Sequence, residues 1–421
     1  MASGRLLIDV RPLRASRQFR LLWLGMMVSA AGSQFTVVAA PLQVYLLTQS
    51  GATVGLLSLA QIVPLVLGSF VGGALADAYD RRTLLLVAQV LLALISVGLA
   101  VNAMQAAPSL AVIFVLAPLQ AALAALDHTT RSSVTPMLVP RDLLPSALVL
   151  NQIMWQVAQV VGPGLAGLVI AVFGVGAAYW VDVASFGSVI VALLLMKPLR
   201  PAGGGTRVSR SGMLDGVRFL KGRQALQGTF VIDINAMLFG MPVALFPALG
   251  IERFGGIESV GLLYAAAPAG AFVGAFTSGW LSAIDRQGRG VVIAVVLWGA
   301  AIALFGLSPW LALALLLLAV AGAADVISAV FRNSILQLSV PDKLRGRLNA
   351  VHIAVVTGGP RLGDVEAGVV ASLTSPAFSV VSGGLACLVG ALAIGRAMPA
   401  LPRWRLSRDA LPEEEVRPDA A

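Results

Sequence analysis

Apolar residues run along this chain in long blocks punctuated by Gly, Pro and charge. The first group lies at 19–47, 54–76, 83–103, 109–125, 144–173 and 177–196. A polar linker follows, then a second group at 226–251, 260–283, 290–307, 310–330, 348–373 and 378–398. Crossing about 30 Å of hydrocarbon takes roughly 20 apolar residues in a helix, so most blocks reach that length and the longer ones have room to tilt or kink. The pattern predicts an all-α membrane protein of twelve transmembrane helices. They form two six-helix halves, 1–197 and 226–398, joined by a cytoplasmic linker at 198–225 and followed by a disordered cytoplasmic tail at 399–421.

Composition agrees with this. Only 12% of the 421 residues are charged, 58% are hydrophobic, and the mean hydropathy of +0.89 excludes a soluble globule with an ordinary polar surface. The net charge of +9 would suit nucleic acid, but basic residues that flank apolar blocks are a topology signal instead. With both ends inside, 27 of the 29 Lys and Arg fall on one face, which makes both termini cytoplasmic. Arg253 and Arg361 are the exceptions, and Arg361 is left within the membrane. Arg5, Arg11, Arg14, Arg17 and Arg20 precede a first block too long for a secretory signal core, so that span is expected to stay. The single Cys387 builds no disulfide framework, and neither His128 nor His352 has metal-ligand spacing; no metal or cofactor is expected.

An internal repeat supports the two halves independently of hydropathy. RSSVTPMLVPRDLL from Arg131 recurs as RNSILQLSVPDKLR from Arg332, an offset of 201, and GSFVGG from Gly68 recurs as GAFVGA from Gly270, an offset of 202. The linker mixes PLRPAGGGTRVSRS, a solvated connector, with MLDGVRFLKG, which has the makings of a short amphipathic surface helix. The tail ends in Glu413, Glu414 and Glu415.

Between the second and third blocks lies GGALADAYDRRTLLL, Gly72 to Leu86, which packs Asp77, Asp80, Arg81 and Arg82 into a hairpin. Gly-x-Leu-Ala-Asp followed by a basic pair resembles the loop between helices 2 and 3 of the major facilitator superfamily, and DAYDRR resembles its siderophore and drug exporter branch. Ala78 and Asp80 stand where the family commonly has Arg and Gly. In the second half the loop has decayed to GWLSAIDRQGR. The resemblance implies two parallel six-helix repeats with a substrate site between them near the midplane.

It also implies roles for particular residues. Gly162, Pro163, Gly164 and Gly167 in helix 5 resemble the family's Gly-Pro motif of antiporters, and by themselves they read as a packing seam. Asp127 and Arg131, four apart in the favourable acid-before-base order, can pair along helix 4. Carried over from the family, Asp127 would meet Arg81 or Arg82 and Asp77 would contact a neighbouring helix end, forming a conformational latch; the alternative is a topology anchor. Many family antiporters place an Arg within helix 4, where this chain offers Gln120 and no charge before Asp127, so coupling would have to sit elsewhere.

Acids inside apolar spans are expensive and commonly face a bundle interior, a partner or water. Asp233 in helix 7 and Asp325 in helix 10 lie in the cytoplasmic half, and Asp182 toward the outer end of helix 6, each unpaired in sequence. Desolvated carboxylates of this kind can exchange protons near neutrality, as a proton-coupled antiporter requires, or can hydrogen-bond a neighbouring helix. Asp233 leads, because Asn235 beside it aligns with Gln34 of helix 1 at the offset of 201, and both are expected to line a cavity. Helix 11 carries GGPRLGDVEAG, in which a Gly-Gly-Pro break precedes Arg361, Asp364 and Glu366. Arg361 and Asp364 can pair on one face while Glu366 projects elsewhere, and a structural ion pair is as good a reading there as a transport role.

Together these readings describe a bacterial inner-membrane secondary exporter of a small amphipathic molecule, by resemblance a siderophore or drug-like compound, working by proton antiport and alternating access. Its expected partners are that substrate, protons and the lipid bilayer, with no nucleic acid, in a monomer. An importer or facilitator of the same fold and a non-transporting membrane sensor are the alternatives. No phosphate-binding Gly-x-x-x-x-Gly-Lys string or nucleophile-base pair points to an ATPase or an enzyme.

Overall fold

The computed structural model describes residues 9–199 and 219–409. The apolar blocks form twelve long helical segments: α1 Arg17–Thr48, α2 Gly51–Ala78, α3 Arg81–Ala103, α4 Leu110–Leu138, α5 Leu144–Phe173, α6 Val175–Leu195, α7 Gln224–Phe239, α8 Ile257–Phe276, α9 Gln287–Leu307, α10 Leu311–Leu338, α11 Asp342–Leu373 and α12 Pro376–Ala397. Eleven of them are long and apolar enough to cross a membrane, counting α7 with the short helix Phe246–Glu252 that continues it. The remaining one, α11, is 32 residues long but carries Arg361, Asp364 and Glu366. The amphipathic surface helix expected in the linker falls largely outside the described residues, as does the acidic end of the tail.

Local signals set several helix ends. Ser16 accepts a hydrogen bond from the Phe19 amide at 3.1 Å and Asp80 one from Thr83 at 2.9 Å, each satisfying a free donor of a first turn. Gly174, at φ 82°, turns the chain from α5 directly into α6, a conformation that disfavours any side chain.

Four expectations change. The helices α4 and α10 outlast their apolar runs, ending at Leu138 and Leu338, so Asp127, Arg131 and Arg332 lie inside helices and not at or beyond their ends. Helix 7 is broken at Gly240–Pro242, and the freed polar groups find partners: Trp298 Nε1 donates to the Gly240 carbonyl at 2.9 Å, and the Ala244 amide donates to Asp364 Oδ1 at 2.9 Å. By contrast α11 runs unbroken through Gly358–Pro360, where Gly359 and Gly363 let it press onto Met237 and Leu238 of α7. Finally, residues 399–409, read as a disordered tail, are folded. Short helices at Ala400–Arg403 and Leu406–Asp409 flank Trp404, and both Leu401 and Trp404 are buried.

The chain divides into two compact units, one holding Met1–Gln49, Ala60–Arg207 and Gly256–Ala265, the other Ser50–Leu59, Val208–Gly255 and Ala266–Ala421. Within the first, α1 packs on α5 and α6, and α3 on α4 and α6. Within the second, α7 packs on α11 and α12, and α9 on α10 and α12. Helix n of one set thus pairs as helix n + 6 of the other, which is the sequence repeat expressed as packing.

The repeated glycines make the same kind of contact in both units. A Cβ at Gly68 would run into the Ala122 carbonyl oxygen of α4, and one at Gly270 into that of Ala319 on α10. At the offset of 201, Ala319 matches Pro118, so α8 sits one helical turn along α10 relative to the place of α2 on α4. Gly68→Val and Gly270→Val are expected to lower thermal stability in detergent by about 3 kcal/mol, because backbone and not a movable side chain occupies the space. Gly73→Val, with open space at its Cβ, should leave the melting temperature unchanged.

Candidate functional site

In the first unit the Gly72–Leu86 hairpin works by capping. Arg81 donates from Nε to the Ala76 carbonyl at 3.0 Å and from Nη1 to the Ser133 carbonyl near the end of α4 at 3.2 Å, with Asp77 at 3.8 Å. Arg82 donates to the carbonyls of Leu193 and Leu194 at the C-terminus of α6, at 2.5 and 2.9 Å. Cations there meet the free carbonyls and the negative end of the helix dipole. Asp127 meets neither arginine. Arg131 Nη2 donates to one of its oxygens and Gln89 Nε2, from α3, to the other at 2.9 Å, so the expected cross-loop latch contact is replaced by a local one. The buried Gln89 was legible as a lone polar residue in an apolar block.

The second unit holds a buried charged cluster. Asp233 on α7 is not unpaired: Arg332 Nη2 on α10 lies 2.9 Å from its Oδ1, with Asp233 0% and Arg332 4% exposed. Arg332 also donates to Ser328 Oγ at 2.9 Å and lies 3.8 Å from Asp325 Oδ1. Residues 325, 328 and 332 share one face of a helix, which is how one guanidinium reaches all of them. From α11, His352 Nδ1 stands 3.9 Å from the other Asp233 oxygen, and its ring packs edge-on against Phe230, one turn before Asp233. The apolar block ends at position 330, just before Arg332, so hydropathy alone places this arginine beyond the helix that holds it.

Asp364 on α11 accepts from Ser58 Oγ at 2.7 Å and from the Ala244 amide at 2.9 Å, binding α11 to the start of α2 and to the break after α7. Arg361 lies on the same helix within electrostatic reach of it, and Glu366 is half-buried. Asp182 is a three-helix staple. Its Oδ2 accepts from Thr36 on α1 at 2.6 Å and from Ser96 on α3 at 2.9 Å.

Gly162 and Gly167 are close-approach positions. A Cβ at Gly162 would meet the Gln34 side chain and the Ala31 carbonyl of α1, and one at Gly167 would meet Gly261 of α8 at 2.9 Å; the space at Gly164 is open, and a Cβ at Gly261 would meet the Pro163 carbonyl. Asn235, the repeat partner of Gln34, turns its amide to α12 and donates to the Cys387 carbonyl at 2.9 Å. Gln120 is half-buried on α4.

Comparison with known proteins agrees with this architecture. A family model described as transmembrane secretion effector matches residues 9–419. The enterobactin exporter EntS of Citrobacter koseri is 29% identical over 399 residues, covering 95% of this chain and 96% of that protein. EntS of Shigella boydii is also 29% identical with the same coverage. Among solved structures, a bacterial homolog of the human lysosomal transporter Spinster superposes with a TM-score of 0.70 at 15% identity, covering 94% of this chain and 99% of that one. The nucleoside transporter NupG superposes with a TM-score of 0.71 at 14% identity, covering 91% and 99% in its D323A form. Twelve helices in a repeated packing pattern, the hairpin motif and a family match over nearly the whole chain give one assignment: this is a multi-pass membrane protein of the transmembrane secretion effector family, a transporter of the major facilitator superfamily.

Proposed function

We propose that the protein exports a small amphipathic molecule, a siderophore or drug-like compound, from the bacterial cytoplasm in exchange for protons, by alternating access. It lies in the inner membrane as a monomer with both termini inside. The observation that carries the coupling is the Asp233–Arg332–Asp325 cluster with His352 beside it, because ionisable residues enclosed within membrane helices are costly and mark ion pathways. Export rests on the exporters among its relatives and on the glycine contacts of α5. The basic N-terminal end of the chain and the Arg81–Arg82 hairpin support the orientation.

Everted vesicles test it. With the lumen acidified, labelled enterobactin or a cationic dye is expected to accumulate against its gradient, to stop accumulating when a protonophore is added, and still to exchange in counterflow. Accumulation that ignores the protonophore would overturn proton coupling, and accumulation only under the reversed gradient would overturn export.

A further inference from the structure

The repeat sets Arg131 of α4 against Arg332 of α10 at the offset of 201, yet the two arginines are used differently. Arg131 finds its counter-charge on its own helix, in Asp127 four residues earlier. The matching position in α10 is Ser328, which offers Arg332 a hydroxyl at 2.9 Å and no charge. Arg332 therefore reaches across to α7, where Asp233 stands at the position that Gly32 occupies in α1. It also holds Asp325 at 3.8 Å, so two carboxyl groups share one guanidinium.

The charged and titratable groups facing Asp233 are Arg332 and Asp325 from α10 and His352 from α11. From α12 the α7 neighbour is the Cys387 carbonyl, taken by Asn235, while the Cys387 thiol turns to Val295 of α9. Enclosed charge is tolerated when it sums to zero. With His352 neutral, that condition gives the pair of acids one proton: one carboxylate neutralises Arg332 and the other carboxyl is protonated.

We propose that Arg332 is a positioning residue that passes between Asp233 and Asp325, so that the two acids carry one exchangeable proton between them. In the arrangement seen here Arg332 is on Asp233 and the proton is on Asp325, the more open of the two, with 35% of its side chain exposed against 1% for Asp233. When Asp233 takes up a proton, Arg332, still a cation, moves to Asp325, whose proton leaves. One proton enters and one departs, no covalent bond other than O–H changes, and the cluster stays neutral throughout. This rests on the proton-antiport reading above and adds the residue that times the exchange.

Ser328→Asp tests it by rebuilding in α10 the pair that α4 already has. The new carboxylate takes Arg332 locally, as Asp127 takes Arg131, and the hand-over stops. Accumulation under an imposed pH gradient is expected to fall to the equilibrium level, while counterflow continues and a downhill substrate gradient no longer moves protons across the vesicle membrane, read with an indicator dye in the lumen. Ser328→Asn, which keeps a polar side chain without charge, should keep both uphill export and substrate-driven proton movement. Should Ser328→Asp fail to fold, the Asp233→Asn/Arg332→Gln double variant removes both charges of the cross-helix pair together and should exchange substrate without responding to the gradient. Uphill export by either Ser328→Asp or that double variant overturns the hand-over, provided Asp233→Asn alone has lost it. Uphill export by Asp233→Asn itself overturns the coupling reading underneath.

Discussion

Asp233→Asn is expected to end uphill export while leaving counterflow measurable. An amide keeps the size and hydrogen-bonding capacity of the carboxyl but can neither release a proton nor neutralise Arg332. Because the side chain is fully buried, the substitution also costs stability: removing one partner of a buried ion pair typically costs about 3–5 kcal/mol, and Asp325 at 3.8 Å from Arg332 recovers part of that. Melting temperature and counterflow measured together therefore separate a destabilised protein from an uncoupled one. Glu366→Gln is the matched comparison on α11, where the acid is half-buried and apart from the cluster, and it should retain uphill export. Asp233→Asn vesicles that still concentrate substrate would make Asp233 structural, and failure confined to Glu366→Gln would move the coupling site to α11.

The sequence made the helices legible because hydrocarbon demands long apolar runs, and the repeat could be read because both halves kept RSS/RNS and GSFVGG/GAFVGA strings. What escaped it was every place where helix and apolar run part company. Arg332 looked like a loop cation because Val330 closes its apolar block, yet α10 continues to Leu338 since Asp233, on a helix a hundred residues earlier, takes the charge. No local pattern shows such a partner. Asp127 was assigned to Arg81 or Arg82 by family analogy, and the helical spacing to Arg131, equally visible, prevailed because an intrahelical pair needs no movement of the hairpin. Asp364 was weighed mainly against Arg361 three residues away, while its hydrogen-bond donors, Ser58 and the Ala244 amide, come from the start of α2 and from the break in helix 7.

The folded end of the chain carries the second large effect, since it stands where the second unit lacks a hairpin motif. In the first unit Arg81 and Arg82 fasten the hairpin to α4 and α6. In the second, the decayed hairpin is fastened from outside: Asp285 accepts the Leu406 amide on its carbonyl at 2.9 Å and the Ser407 amide on its carboxylate at 2.8 Å, Trp404 Nε1 donates to Ser339 Oγ at the end of α10 at 3.1 Å, and Gln224 at the start of α7 accepts from the Ala400 amide at 3.1 Å. Gly288 lets Leu401 lie directly on α9. Truncation after Met398, or Trp404→Ala alone, is expected to cost about 3–5 kcal/mol in thermal unfolding, the range for emptying a buried tryptophan site. Arg82→Ala in the first unit removes hydrogen bonds from a half-buried side chain and should cost only about 1 kcal/mol. Hydrogen bonds from the Ser407 side chain and backbone hold the Asp285 carboxyl below the usual carboxylate range. Its share of the clasp is therefore complete above that range and is lost only as the pH falls through the lowered value, so acidification to about pH 5 should leave the melting temperature gap between wild type and truncated protein unchanged. A truncated protein that melts with the wild type would show that residues 399–409 rest on the second unit without holding it together.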